Sequence, residues 1–223
     1  MYPAGNLFIP ATHGRLESIL KEPSEGSARG AALVLHPHPL GGGTMHNKVV
    51  FRAASALNDA GLTTLRINFR GVGQSTGEHD EGRGELEDVR AALDYLEEKY
   101  PSFALTLCGF SFGARVGLEV GIPDERVVNL ISIGTPVDKY DFGFLEACRK
   151  SILFVHGDRD EFGEVAKLNE LVTKLKPHTQ VQLSVIKGAD HFFEGHLDEL
   201  KQVIREWVMN QLTRGAASAS PLV

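Results

Sequence analysis

ALTLCGFSFGARVGLEV, residues 104–120, is the stretch on which the fold turns. ALTLCGF (104–110) reads as a strand and ARVGLEV (114–120) begins a helix, so Ser111 falls on the turn between them. Glycine is common in this chain, 24 of 223 residues, and the pattern G-x-S-x-G can arise by chance, so its context must decide. A serine on a sharp strand-to-helix bend points its hydroxyl out above the sheet. Side chains at Gly109 and Gly113 would clash with the neighbouring strand and helix. The bend also sets Ser111 beside a helix N-terminus, where the Phe112 N–H and the positive end of the helix dipole face the same space. The competing reading is a structural turn serine.

Outward from the bend, apolar runs of strand length alternate with stretches of helical periodicity. AALVLH (31–36), TTLRINF (63–69), VVNLISIG (127–134), SILFVHG (151–157) and VQLSVIKG (181–188) read as strands, most of them continuous apolar runs of the kind buried on both faces. Helices are expected over 46–61, where Val49, Val50, Ala53, Ala54 and Leu57 share a face, and over 84–101, closed by Pro101. Two more are expected over 164–176 and 196–212. NLFIPA and RLESILK, at the start, read as two antiparallel strands. Alternation of this kind implies an α/β fold with a mostly parallel sheet of about eight strands covered on both sides. Ligands bind such sheets at the carboxyl ends of the strands.

A serine hydroxyl is a poor nucleophile without a base, and the base needs a third group to orient it. HGDRDEF (156–162) ends one strand and offers Asp158 and Asp160; GADHFF (188–193) ends another and offers His191. The chain order serine, aspartate, histidine is that of a nucleophile elbow on this kind of sheet. An oxyanion hole needs two backbone N–H groups. Phe112 supplies one. HPHPLGGG (36–43) should supply the other; Pro37 and Pro39 have no N–H, which leaves His38, Leu40 or the glycines, with Leu40 favoured.

The segments LHPHPLGGGTMHNKVV (35–50), RINFRGVGQSTGEHDEGRGELEDVRAALDYL (66–96), LCGFSFGARVGL (107–118), HGDRDEF and GADHFFEG resemble small bacterial α/β-hydrolases akin to dienelactone hydrolases. The resemblance covers nearly the whole chain. It implies Ser111 as nucleophile, His191 as base and, through the family pattern H-G-x-x-D, Asp160 rather than Asp158 as the acid. Dienelactone hydrolases carry cysteine at the position of Ser111, which argues against that particular reaction. The implied activity is a serine esterase acting through an acyl-enzyme, with no cofactor and no metal. Thioester, amide or peptide cleavage at the same triad stays open, as does a non-catalytic ligand-binding protein on this fold.

Composition sets the remaining bounds. A formal net charge of −6 argues against nucleic acid or an anionic membrane as partner. Two cysteines, Cys108 and Cys148, in apolar surroundings read as reduced thiols. With no signal peptide or membrane span legible, the expectation is a cytoplasmic protein: one domain over 1–214 and a flexible tail over 215–223. His36, His38 and His46 make a poor zinc set, His156 reads as a strand-end histidine bonded locally, and GVGQSTG lacks the ending of a phosphate loop. Arg70 and Ser75 are expected to brace their loop rather than touch substrate. TPVDKYDFGFLEACRK (135–150) is too short for a lid domain, although Tyr140, Phe142 and Phe144 could form a small cover. A shallow, open pocket and a small soluble ester follow. An exposed edge strand would allow a homodimer, but the sequence does not establish one.

Overall fold

The computed structural model describes residues 5, 7–23 and 26–218. Its strands are β1 (Leu7–Ala11), β2 (Gly14–Lys21), β3 (Ala31–Leu35), β4 (Thr63–Ile67), β5 (Leu105–Phe110), β6 (Val127–Ile133), β7 (Ser151–Gly157) and β8 (Val181–Ile186). Its helices are α1 (Lys48–Asp59), α2 (Arg83–Lys99), α3 (Phe112–Gly121), α4 (Val165–Leu175) and α5 (Leu197–Ser218). The strands form one eight-stranded sheet in the order β1-β2-β4-β3-β5-β6-β7-β8. β1 and β2 form an antiparallel hairpin that pairs antiparallel with β4; from β4 onward all neighbours are parallel.

The continuous apolar runs are explained by layers on both faces. In β3, Ala31, Leu33 and Leu35 join the core beneath α2, α3 and α4, while Ala32 and Val34 join the core beneath α1 and α5. β5 and β7 alternate in the same way: Leu105, Leu107, Ile152 and Phe154 face one layer, Cys108, Phe110, Leu153 and Val155 the other. Each helix turns one apolar face to the sheet, Val49, Ala53 and Leu57 on α1 and Leu200, Ile204 and Trp207 on α5. Asn47 starts α1 by accepting the Val49 N–H at 2.9 Å, filling one orphan donor of the first turn.

β4 and β5 flank β3 on opposite sides: the chain runs from β3 to β4 and then crosses back past β3 to β5. The sheet therefore switches direction between β3 and β5, and a crevice opens at their carboxyl ends. The loop after β3 and the turn after β5 meet there, because Leu35 is in register with Gly109.

The sequence boundaries hold to within a few residues, with one difference. α5 runs on to Ser218, into the stretch expected to be a tail; residues 219–223 lie outside those described. The 135–150 connection carries only a 3-10 turn, Gly143–Ala147, and no lid. Phe142 there is buried in the core rather than placed as a cover. Both cysteines are free and buried, and burial pushes the Cys108 thiol far up from its usual range. Among the described residues no helix is long and apolar enough to cross a membrane.

Candidate active site

Ser111 adopts φ 56° and ψ −119°, a strained conformation for a residue with a side chain. The surroundings hold it there. Its N–H donates to the Ile133 carbonyl at 2.9 Å, and its own carbonyl accepts from Ala114 N–H at 2.9 Å. A Cβ on Gly109 would fall on the Gly113 carbonyl, and one on Gly113 would lie 2.5 Å from the His36 carbonyl oxygen. The glycines are thus required by the approach of α3 to β5 and β3.

Ser111 Oγ lies 2.9 Å from His191 Nε2, and His191 Nδ1 lies 2.7 Å from Asp160 Oδ2. Three segments after β5, β7 and β8 have converged. Asp160 is buried, and its other oxygen accepts the Phe162 N–H at 2.8 Å. With the carboxylate on Nδ1, the imidazole carries its proton there and presents a lone pair to the serine hydroxyl. The ring is only 3 % exposed and is walled by Phe162, Phe110 and Phe192 at 4.5, 4.9 and 5.3 Å. Asp158, the alternative acid, points elsewhere: it accepts the Gly188 N–H at 2.6 Å and ties the acid loop to the histidine loop. His156 is bonded locally, its Nε2 donating to the Gly163 carbonyl at 2.6 Å.

In the loop after β3 most backbone N–H groups already have acceptors. The Leu40 N–H, expected to face the site, donates instead to His38 Nδ1 at 3.2 Å. Gly41 and Gly43 donate to the His38 carbonyl and Gly42 to that of Pro39. Among the described residues the His38 N–H has no acceptor, and neither has that of Phe112, which opens α3. His36 anchors this loop. Its Nδ1 donates to the Pro37 carbonyl at 2.6 Å and its Nε2 accepts the Phe69 N–H at 3.0 Å. Complete burial pushes its pKa down to about 4, so it is neutral. His38 is also pushed down, first by burial and then by His79.

Arg70 and Ser75 brace their loop. Arg70 binds the buried Asp88 through Nε at 3.0 Å and Nη2 at 2.8 Å; Ser75 donates to the Asn68 carbonyl and accepts the Glu17 N–H, both at 2.8 Å. The acidic run EHDEG (78–82) reads in sequence as a solvated loop, yet its His79 reaches the site. His79 packs on His38 and Phe112, and its Nδ1 meets the buried Glu85 at 2.7 Å. In sequence Glu85 looks like any acidic residue in the first turn of a helix, so nothing marked it as buried.

Two clefts are lined by residues that adjoin the triad, one by Phe112, next to Ser111, and one by Phe192, next to His191. One, of about 180 Å³, is lined by Phe112, Val116, Leu86, Tyr140 and Arg115. The other, of about 300 Å³, is lined by Gly42, Thr44, Asn47, Val49 and Phe192. A larger groove of about 560 Å³ between α1 and α5 shares no lining residue with either. None of Ser111, His191, Asp160 or their chain neighbours lines it, whereas Phe112 and Phe192 line the two smaller clefts.

Relatives carry the same fold. An uncharacterized protein of Rickettsia prowazekii is 38% identical over 210 residues, 91% of this chain and 88% of its own. The solved structure of an α/β serine hydrolase homologue from Coxiella burnetii is 37% identical with a TM-score of 0.84, covering 92% of this chain and 99% of that one. A Xanthomonas campestris protein described as an α/β serine hydrolase without a lid is 32% identical with a TM-score of 0.85, covering 99% of each chain. A family model for the α/β-hydrolase domain matches residues 30–213. Together with the eight-stranded sheet and its serine bend, this match places the chain in the α/β-hydrolase family.

Proposed function

We propose that the protein is a serine esterase that cleaves small soluble carboxylic esters through Ser111, His191 and Asp160. The observation that carries the reading is the unbroken hydrogen-bond chain from Ser111 Oγ through His191 to Asp160 Oδ2, at 2.9 and 2.7 Å. Ser111 Oγ attacks the acyl carbon while His191 Nε2 takes its proton. Asp160 holds the ring in its tautomer and stabilises the imidazolium. The oxyanion is bound by the N–H groups of Phe112 and His38, since the Leu40 N–H is committed to the His38 ring. The imidazolium passes its proton to the departing alcohol, and water, deprotonated by His191, releases the acid and frees the serine.

The choice of small esters rests on the open site. The connection over 135–150 provides no lid, and the clefts beside Phe112 and Phe192 are small, about 180 and 300 Å³. Turnover of p-nitrophenyl esters from acetyl to hexanoyl should exceed that of lauroyl and longer esters, and Ser111→Ala should abolish it in a folded protein. Preference for the long chains would refute the substrate class; activity in Ser111→Ala would refute the nucleophile. A parallel panel of acyl thioesters and anilides asks whether the oxygen ester is preferred.

A further inference from the structure

The two residues that would supply the oxyanion donors belong to separate segments, His38 to the loop after β3 and Phe112 to the start of α3. Their side chains nevertheless touch. The His38 and Phe112 rings lie 4.9 Å apart, centroid to centroid. His79, from a third segment, packs against both, 4.8 Å from His38 and 5.7 Å from Phe112. His79 is in turn fixed by Glu85, whose side chain is fully buried. Glu85 Oε1 receives His79 Nδ1 at 2.7 Å and the Asp80 N–H at 3.0 Å, while Oε2 receives the Gly82 N–H at 2.8 Å. Three donors compensate the burial of one carboxylate and lock the segment 79–82 around it. Glu81 within it sits at φ 52°, a conformation a residue with a side chain adopts only when its surroundings impose it.

We propose that His79, oriented by Glu85, is a positioning residue for the oxyanion hole: it clamps the His38 and Phe112 rings together and so fixes the aim of their two backbone N–H groups. This inference rests on the serine-esterase reading. The loop that carries His38 needs such a clamp, because two prolines and three glycines leave it few other side chains to pack. His36 pins its start to Phe69, and the His38 ring, held by His79, pins its next turn. Oxyanion donors act only when they meet the charge that develops in the transition state, so misaiming them lowers the chemical step and leaves substrate binding alone.

Two variants separate the ring of His79 from its hydrogen bond. His79→Gln keeps a donor for Glu85 and loses the ring; His79→Phe keeps the ring and loses the donor. The readouts are kcat and KM on a short-chain p-nitrophenyl ester, and the second-order rate at which a fluorophosphonate labels Ser111. His79→Gln should lower kcat and the labelling rate together by about 10- to 100-fold, with KM within about twofold of wild type, less than the loss from deleting a donor outright. His79→Phe should return to within about fivefold of wild type on the same scale. Wild-type rates in His79→Gln, a loss confined to KM, or a His79→Phe as slow as His79→Gln would each overturn the proposal. The two readings fail separately. A wild-type protein that neither labels nor turns over ester defeats the esterase itself, whereas a labelled wild type with an equally reactive His79→Gln defeats only the role of His79.

Discussion

Asp158 and Asp160 stand two residues apart at the end of β7 and hold different partners. Asp160 orients His191, so Asp160→Asn should reduce kcat by about 10⁴-fold by favouring the wrong tautomer. Asp158 is exposed and accepts one backbone N–H, so Asp158→Asn should leave kcat within a few-fold of wild type; steady-state kinetics on the two variants reads the difference. Equal losses would mean that the acid has been assigned wrongly. At this scale Ser111 and His191 were legible because their chemistry demands a fixed chain order at strand ends. Asp160 needed the family pattern. Leu40 was not decidable from sequence, because which N–H of a loop is free depends on turns and on where the His38 ring folds back. Glu85 and His79 were illegible for a related reason: a buried carboxylate and a solvated one are the same letter.

At the scale of the element, the bend between β5 and α3 is enforced by close backbone approach. Gly109→Ala would drive a methyl group into the Gly113 carbonyl with no flexible side chain to yield. The expected cost is about 3 kcal/mol or more, read as a lowered urea midpoint, because backbone must move and Ser111 with it. A variant of wild-type stability would show that the bend is not held by contact at this position. The strands and helices themselves were readable because β3, β5 and β7 are buried on both faces and α1 and α5 on one, which prints two different apolar periods in the sequence. Their ends were less readable. α5 continues to Ser218 through small residues that carry no periodic signal, and α3 starts at Phe112, two residues before the expected 114.

At the scale of the whole molecule, burial of titratable groups makes stability depend on pH. His36 is neutral in the fold, its pKa pushed by burial from the ordinary 6.5 down to about 4. The unfolded chain therefore binds a proton between these values and the folded chain does not, so stability falls as pH drops from about 6.5 to about 4. The contribution at stake is on the order of 3 kcal/mol. His36→Asn should be less stable at pH 7, yet show a flatter loss of unfolding free energy across that window in urea titrations. Parallel curves for the two proteins would mean that His36 does not titrate as buried. The parallel sheet followed from the alternation of strands and helices. The strand order, and hence the crevice between β3 and β5, is a property of the closed fold that no local stretch encodes.

The proposed activity requires Ser111 to be an activated nucleophile. It is tested most directly by treating the wild type and Ser111→Ala with a fluorophosphonate and locating the adduct by mass spectrometry. One stoichiometric adduct is expected, on Ser111, absent from the folded variant. A folded wild type that takes no adduct, or takes it on another residue, would contradict it.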